Sequence, residues 1–329
     1  MTFRSFLWLL EASGRHARIA LPCGVVLALL LPSTDGFFKP AAPFILAILA
    51  AAAVVRLDIG TVLKAALQPQ RLVRNFAVSL GLLVAVPVCL VFLARLAGLD
   101  EDMVPLITWY ALAPPIATTI WMCVFLGFAA PIAMEIVILT NLLAPFTGPY
   151  LGEILLGAAV PLTSVVLCLR LGAILGGGMV LAVLCRRLLG PDGVEANRRR
   201  LDGVSTLAML AFLVPVFDGV GVLALTAPLA GLACLGLAIG LNFGSQAMVI
   251  AGGHAYAKFK DDAFPEGTSS VAVVAGNRNL GLYFAALPAE PFFALFVAAY
   301  QLPLYLTPMV AGWFADRRAG DRQNGPGNS

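Results

Sequence analysis

The sequence predicts an all-α polytopic membrane protein, and three observations support this fold class. Of the 329 residues, 60% are apolar and only 12% are charged, with a mean hydropathy of +0.93; soluble domains are near 45–50% apolar and about 25% charged. The segment from Phe76 to Ala94 contains one hydroxyl group and no charge, and about 20 such residues let a helix cross a bilayer. The third observation is the placement of the basic residues.

Apolar runs separated by polar breaks predict ten spans in one membrane domain that covers residues 1–329. Before the first span, the run FLWLLEASG is interrupted by Glu11 and has no small-residue cleavage site, which predicts an interfacial helix rather than a signal peptide. After the last span, residues 315–329 are predicted to be a flexible cytoplasmic tail. The ten spans are 17–33, 40–55, 75–97, 103–127, 131–156, 163–188, 204–221, 226–256, 269–288 and 291–314.

The basic residues between these spans predict the orientation. Short cytoplasmic loops hold an excess of Lys and Arg, and this span count places 17 of the 21 basic residues on one side. Lys39 and Arg95 fall on the other side, with the acidic cluster Asp100 to Asp102. We therefore expect both termini in the cytoplasm of a multi-pass protein of the bacterial inner membrane. The 17 residues are Arg4, Arg15, Arg18, Arg56, Lys64, Arg71, Arg74, Arg186, Arg187, Arg198, Arg199, Arg200, Lys258, Lys260, Arg317, Arg318 and Arg322.

Several function classes are disfavoured by composition. The net charge of +3 is too small to indicate nucleic-acid binding. The spans contain no HExxH, no GxSxG, no aspartate-rich diphosphate motif and no paired carboxylates, so we expect no enzyme, no catalytic residues and no cofactor. The six cysteines lie singly in apolar runs without a CxxC pair, which predicts buried thiols rather than disulfides or a metal site.

An internal repeat indicates a transporter. The segment from Pro131 to Gly152 resembles the segment from Pro291 to Gly312 at an offset of 160 residues, and Asn141 aligns with Gln301. The offset carries span five onto span ten, and because five is odd the two halves have opposite orientations. Inverted repeats are typical of secondary transporters, so we predict repeats at 17–156 and 163–314.

The spans before these two segments are predicted to be broken. Pro114 and Pro115 in ALAPPIATTIWMCVFLG cannot continue a helix, and AGNRNLG places three polar side chains between two glycines. Arg278 lies about nine residues into its span, or roughly 14 Å along a helix, close to the middle of a hydrocarbon core about 30 Å thick. Thr118 and Thr119 have a similar depth. We therefore expect the two breaks to cross at the membrane midplane, where transporter substrates bind.

The chain resembles the bile acid:sodium symporter superfamily over nearly its whole length. The resemblance is carried by RLDIGTVLKAALQPQRLV after span two, by the proline-broken span four with the later APFTGP, and by GNRNLGL in span nine. It implies ten helices in two inverted five-helix repeats. Helices four and nine would be broken and would cross in a core domain that faces a panel of helices one, two, six and seven.

The chain departs from the sodium-coupled members of that superfamily at the sodium sites. Those members resemble one another in a Glu-x-Gly-x-Gln-Asn run, in which this chain has Val274 at the carboxylate position and Arg278 at the glutamine position. Their Ser-Asn pair on helix four corresponds to Thr119-Ile120, and the hydroxyl positions on helix five fall on Ala133 and Val137. We therefore do not carry over the two-sodium mechanism.

Two interpretations of Arg278 stay open, and they are compatible. It is a structural arginine that pairs with main-chain carbonyls and replaces a sodium ion, or it is a direct ligand for an anionic substrate, since its guanidinium stays charged and offers five donors. Asn277 and Asn279 either cap the broken helix or contact substrate. Thr118 and Thr119 either bond within their own helix or contact substrate.

Three further polar residues are candidates near the crossing. Asn141 lies on the face of span five that points to the crossing, one turn beyond Val137. Glu135 is either a solvated or snorkelling carboxylate near the cytoplasmic end, or a proton carrier or partner of Arg278. Gln246 is expected to line the cavity, and Asp218 is expected to mark the outer end of span seven.

The leading hypothesis is a secondary transporter of a small or amphipathic organic anion that works by alternating access without sodium coupling. The alternatives are a sodium-dependent organic-anion symporter of the bile-acid type and a non-transporting membrane protein that senses a ligand. The expected partners are the anion and the lipid bilayer; protons are a further candidate, sodium is disfavoured and nucleic acid is excluded.

Overall fold

The computed structural model describes residues 3–56, 68–157, 160–261, 264–265 and 267–323, and these residues form helices and connecting turns with no strand. Six helical segments in this part of the chain are long and apolar enough to cross a membrane: Arg71–Leu96, Ala130–Leu156, Ser164–Ala196, Arg198–Phe217, Pro228–Lys260 and Pro291–Gly312. The fold is therefore that of an all-α membrane protein, as predicted.

Each of the ten predicted spans coincides with one helix or with two consecutive helices. In chain order the helices are α1 Phe3–Arg15, α2 Ala17–Leu29, α3 Ala42–Val54, α4 Pro69–Leu80, α5 Val86–Leu96, α6 Met103–Leu112, α7 Thr119–Phe125, α8 Ala130–Leu156, α9 Ser164–Ala196, α10 Arg198–Phe217, α11 Val220–Thr226, α12 Pro228–Lys260, α13 Thr268–Gly276, α14 Leu280–Ala286 and α15 Pro291–Gln323.

Local irregularities divide or end several helices. A π-helical turn, Gly81–Ala85, joins α4 to α5, and Gly190 (φ 70°) interrupts α9 ahead of Pro191, close to the predicted end of span six. Asp218 ends α10, as expected for an end marker. The last helix continues to Gln323, beyond the span end predicted at 314. Most of the RLDIGTVLKAALQPQRLV motif, with Lys64, lies outside the described residues, as do residues 324–329 of the predicted tail.

The helices pack in two layers. In the first, which we call the four-helix layer, α3 packs on α9 and α10, and α2 packs on α10. In the second, which we call the break layer, α8 contacts α4, α6, α7 and α13, while α12 packs on α13 and α15. The layers touch where α8 meets α9, where α14 meets α3 and α9, and where α15 meets α10.

The amino-terminal helix α1 lies along the start of α10. Close contact is possible because residue 203 is glycine, since a Cβ atom there would lie 1.9 Å from the Leu10 carbonyl oxygen. Trp8 on α1 remains 65% exposed. The helix therefore has one face against the bundle and a large apolar side chain on the other, as an interfacial helix requires.

Candidate functional site

Two helix breaks lie side by side in the break layer. The first separates α6 from α7 and contains Pro114 and Pro115, and the second separates α13 from α14 and contains Arg278. The Ile116 amide donates to the Asn277 carbonyl oxygen at 3.0 Å, and the Asn279 amide donates to the Pro114 carbonyl oxygen at 2.7 Å. These bonds form an antiparallel bridge that pairs Pro115 with Arg278. We call this arrangement the paired breaks.

Arg278 is buried at the paired breaks, with 1% of its surface exposed. Its Nε donates to the Ala275 carbonyl oxygen at 2.8 Å, and its Nη1 donates to the Ala113 carbonyl oxygen at 3.2 Å. Ala275 belongs to the last turn of α13, and Ala113 directly follows α6. Carbonyl groups at helix C-termini lack intrahelical partners and carry partial negative charge. The guanidinium therefore satisfies and neutralises the ends of two half-helices, which favours the structural interpretation of this residue.

A tyrosine from α15 holds the second break, and the sequence analysis did not identify it. The Tyr300 hydroxyl accepts from the Arg278 amide at 2.7 Å and donates to the Gly276 carbonyl oxygen at 2.6 Å. The Tyr110 hydroxyl lies 3.2 Å from the same carbonyl oxygen and 2.8 Å from that of Leu241. The signal for such residues is a tyrosine inside an apolar span, because its hydroxyl group needs a partner once buried.

Asn277 belongs to a buried amide network. Its Oδ1 accepts from Thr307 Oγ1 at 3.0 Å and from Asn242 Nδ2 at 3.3 Å, and its own Nδ2 donates to the Val273 carbonyl oxygen. Gln246 donates to Asn242 Oδ1 at 2.8 Å. Gln246 thus contacts the second break indirectly, through Asn242. Asn242 was not predicted as a site residue, although an amide side chain in an apolar span is a visible signal. Every polar atom of the Asn277 side chain has a protein partner.

The other residues predicted to lie at the breaks differ in their burial and in whether they contact a break. Asn141 Nδ2 donates to the Pro115 carbonyl oxygen at 3.0 Å, so this side chain does reach the break. Thr119 is buried and donates back to the Ile116 carbonyl oxygen at 2.7 Å, as the within-helix interpretation expects. Thr118 is half-buried at the start of α7. Asn279 is also half-buried, and it lines the space between the two layers.

The interpretation of Glu135 as a solvated carboxylate is wrong. The residue is 5% exposed and accepts a hydrogen bond from Asn75 Nδ2. Its oxygens lie 3.7 Å from Arg71 Nη1 and 3.9 Å from Arg74 Nη2. Its charge partners among the described residues are thus two arginines near the start of α4, whereas Arg278 Nε and Nη1 donate to main-chain carbonyl oxygens.

Four of the positions that the resemblance assigns to the sodium sites lie in one apolar cluster. Ile120, Ala133, Val137 and Val274 are all at most 7% exposed and pack in the same buried group as Cys123. Their side chains offer carbon where a hard cation needs several oxygen ligands. The side chains of this cluster therefore do not form a site for a sodium ion.

A small cavity of about 40 Å³ lies between the paired breaks and the four-helix layer, and we call it the crossing cavity. The break layer gives it polar atoms, from Arg278, Asn279 and Gln301. The four-helix layer gives it apolar walls, including Leu46 and Phe212. The space is large enough for only a few water molecules, so the two layers are close together at this depth.

No family model matches the chain, and no curated protein matches it. The resemblance to the bile acid:sodium symporter superfamily accordingly rests on the order and spacing of the motifs quoted above. The geometry of the paired breaks stands independently of that resemblance.

Proposed function

We propose that the protein is a secondary transporter of a small or amphipathic organic anion, working by alternating access and without sodium coupling. The observation that carries this proposal is the pair of broken helices joined to each other and neutralised by one buried arginine. Irregular main chain at membrane depth is tolerated where protein or a watery cavity surrounds it, and transporters place their substrate sites at such broken helices.

The proposal takes the chain as ten spans in two inverted five-helix repeats. Two hydrogen bonds support the proposed inverted repeat, because each joins the helix after a break to a main-chain carbonyl group in or beside that break. Asn141 of α8 bonds the Pro115 carbonyl oxygen in the first break. Tyr300 of α15, which directly precedes the repeat partner of Asn141, bonds the Gly276 carbonyl oxygen beside the second break. In each half, a side chain of the helix after the break thus bonds a main-chain carbonyl group in or beside that break, and the two side chains are one residue apart in the repeat alignment.

The two layers supply the parts that alternating access needs. In the proposal the break layer is the core domain and the four-helix layer is the panel. The substrate would lie between them at the crossing cavity, with its charged end toward Asn279 and Gln301 and its apolar part toward Leu46 and Phe212. The fixed positive charge of Arg278 favours an anion over a cation at this place.

Arg278 also provides the reason to exclude sodium. A second cation about 4 Å from the guanidinium would be repelled by about 4 kcal/mol at an effective dielectric constant of about 20, which is roughly a thousandfold in affinity. The side chains of the apolar cluster around Val274 also offer no oxygen ligands for a sodium ion. Coupling, if present, would use protons or exchange of one anion for another.

The test is uptake by proteoliposomes that contain the purified protein, with a set of labelled aryl carboxylates and sulfonates. We expect saturable uptake of at least one anion that is unchanged when choline replaces sodium at constant ionic strength. Uptake that rises steeply with sodium would favour the symporter alternative. Saturable binding without uptake would favour the ligand-sensing alternative.

A further inference from the structure

A second and larger cavity lies at one end of the bundle, and we call it the outer cavity. Its volume is about 450 Å³, which is within the usual range of about 300–1,000 Å³ for small-molecule sites. It is lined by the α2–α3 connection, the end of α10, the short helix α11, and α14 with the α14–α15 connection. Its apolar lining includes Pro215, Val222, Leu223, Phe284 and Pro291.

Lys39 is the basic residue in the lining of this cavity. Its Nζ lies 3.7 Å from the centroid of the Phe284 ring, and that ring is 2% exposed. The face of an aromatic ring attracts an ammonium group and so holds it in place. None of the ion pairs formed by the described residues includes Lys39. An ammonium has three donors, and the ring occupies only one side of it.

The carboxylates of the outer cavity are bound to the protein itself. Asp218 accepts hydrogen bonds from the Thr34 amide and hydroxyl and from the Gly36 amide. Glu290 accepts from two main-chain amides at the start of α15, and the third carboxylate, Asp35, accepts from a serine hydroxyl. They cap and connect loops and still carry negative charge. The lining therefore carries three carboxylates against one ammonium, so an anionic group can bind only in contact with Lys39, and a second negative charge would be repelled.

Two phenylalanine rings separate the outer cavity from the crossing cavity. Phe284 lines the outer cavity and Phe212 lines the crossing cavity. The rings are perpendicular, with centroids 6.1 Å apart. Phe212 belongs to α10 in the four-helix layer and Phe284 belongs to α14 in the break layer. A movement of one layer against the other would therefore open or close this aromatic partition.

We propose that the outer cavity is a binding site for an amphipathic monoanion, with Lys39 as the ligand of its carboxylate or sulfonate group. The apolar part of the anion packs on Pro215, Leu223 and Pro291. Passage of the anion past Phe284 and Phe212 to the crossing cavity rests on the proposed transport function. Binding at the outer cavity does not.

The test uses naphthalene-1-sulfonate as the probe and the protein in lipid nanodiscs, with titration calorimetry corrected for empty discs. We expect Lys39→Gln to weaken binding by about tenfold, the size of one lost charged contact, and Lys39→Arg to retain it. The neutral analogue naphthalene-1-methanol and the dianion naphthalene-1,5-disulfonate should both bind more weakly than the probe. Binding of the probe to Lys39→Gln with wild-type affinity, or equal binding of the neutral analogue, would overturn the proposal.

A measurement on the wild-type protein avoids the effect of substitutions on folding. The probe should slow the acetylation of Lys39, followed by mass spectrometry, and leave Lys258 and Lys260 in the last turn of α12 unaffected. Absence of protection at Lys39 would contradict the proposal. These readouts need no transport, so a protein that protects Lys39 but shows no uptake would remove the proposed function and leave this site in place.

Discussion

At the residue scale, Arg278 raises the question of how an apolar helix accommodates a buried cation. An arginine at the centre of a membrane helix costs at least about 2.5–3.5 kcal/mol when it has no partners. Here the cost is offset because two carbonyl groups at helix ends need donors and carry partial negative charge. The arginine and the two broken helices thus stabilise each other.

Removing this arginine should destabilise the fold and change its response to cations. Each carbonyl group left without a partner costs about 1–3 kcal/mol, so Arg278→Gln should lower the unfolding temperature in detergent. Sodium should restore part of that loss relative to choline, because the two carbonyl oxygens then become available to a cation. The wild-type unfolding temperature should be the same in both salts. A wild-type protein stabilised by sodium would contradict this account.

Lys39 predicts a pH dependence at the outer cavity. Burial lowers the pKa of Lys39 to about 8, and the attraction of Glu290 opposes the shift. The ammonium form binds the anion, so affinity for naphthalene-1-sulfonate should fall as pH rises through about 8. Asp35, Asp218 and Glu290 also face the cavity.

Asp218, which also faces Lys39, should not add to this pH dependence. Burial disfavours the charged form of Asp218, but hydrogen bonds from Thr34, Gly36 and Ser33 outweigh it and lower its pKa. Because an aspartate ordinarily titrates far below pH 7, a lowered pKa keeps Asp218 charged over the whole range of the experiment. Titration calorimetry between pH 7 and about pH 9.5 checks the prediction. Lys39→Arg should bind equally across that range, and a wild-type affinity that does not change with pH would contradict the role of the ammonium.

At the element scale, the two breaks could be predicted because their causes are local in sequence. Paired prolines cannot continue a helix, and a glycine followed by three polar residues is visible without any knowledge of packing. The groups that hold the breaks could not be predicted in the same way. Tyr300, Tyr110 and Asn242 lie on other helices, and their partners depend on how those helices pack and rotate. Only Asn141 was identified, because the internal repeat and helical spacing placed it on the correct face.

Tyr300 offers a matched test of how the second break is held. Tyr300→Phe leaves the buried main-chain amide of Arg278 without its acceptor and removes one donor from the Gly276 carbonyl oxygen. Each group left unsatisfied lowers the free energy of unfolding by about 1–3 kcal/mol. The control is Tyr305→Phe on the same helix, since the Tyr305 hydroxyl is buried and has no hydrogen-bond partner among the described residues. Thermal unfolding should show a clear loss for Tyr300→Phe and no loss for Tyr305→Phe. Equal effects would mean that the hydroxyl of Tyr300 does not support the break.

At the scale of the whole molecule, hydropathy and charge predicted the positions of the helices, because both are properties of continuous segments. The pairing of charges between helices was not predicted. Glu135 meets Arg71 and Arg74 because α4 packs beside α8, and neither sequence segment specifies that neighbour. The same holds for Arg56, which pairs with Asp202 of α10 at 2.7 Å. Contacts of this kind connect the basic ends of several helices.

The proposed ten-span arrangement places positions 101 and 199 on opposite sides of the membrane, and cysteine labelling can test this. Single cysteines are introduced by Glu101→Cys and Arg199→Cys in a variant whose native cysteines are replaced by serine, since Cys23 and Cys89 are exposed. Both positions are exposed in the structure. In intact cells a membrane-impermeant maleimide should label position 101 and should reach position 199 only after permeabilisation. External labelling at position 199 would exclude the ten-span arrangement.

The paired breaks also bear on how such a chain can change over generations. Both hydrogen bonds of the bridge join main-chain atoms, from Ile116 to Asn277 and from Asn279 to Pro114. The joint therefore does not require particular side chains at those positions. A lineage can therefore exchange the side chains around the bridge one at a time without losing the main-chain hydrogen bonds that join the two breaks. The architecture of the paired breaks can be inherited while the side chains around it change.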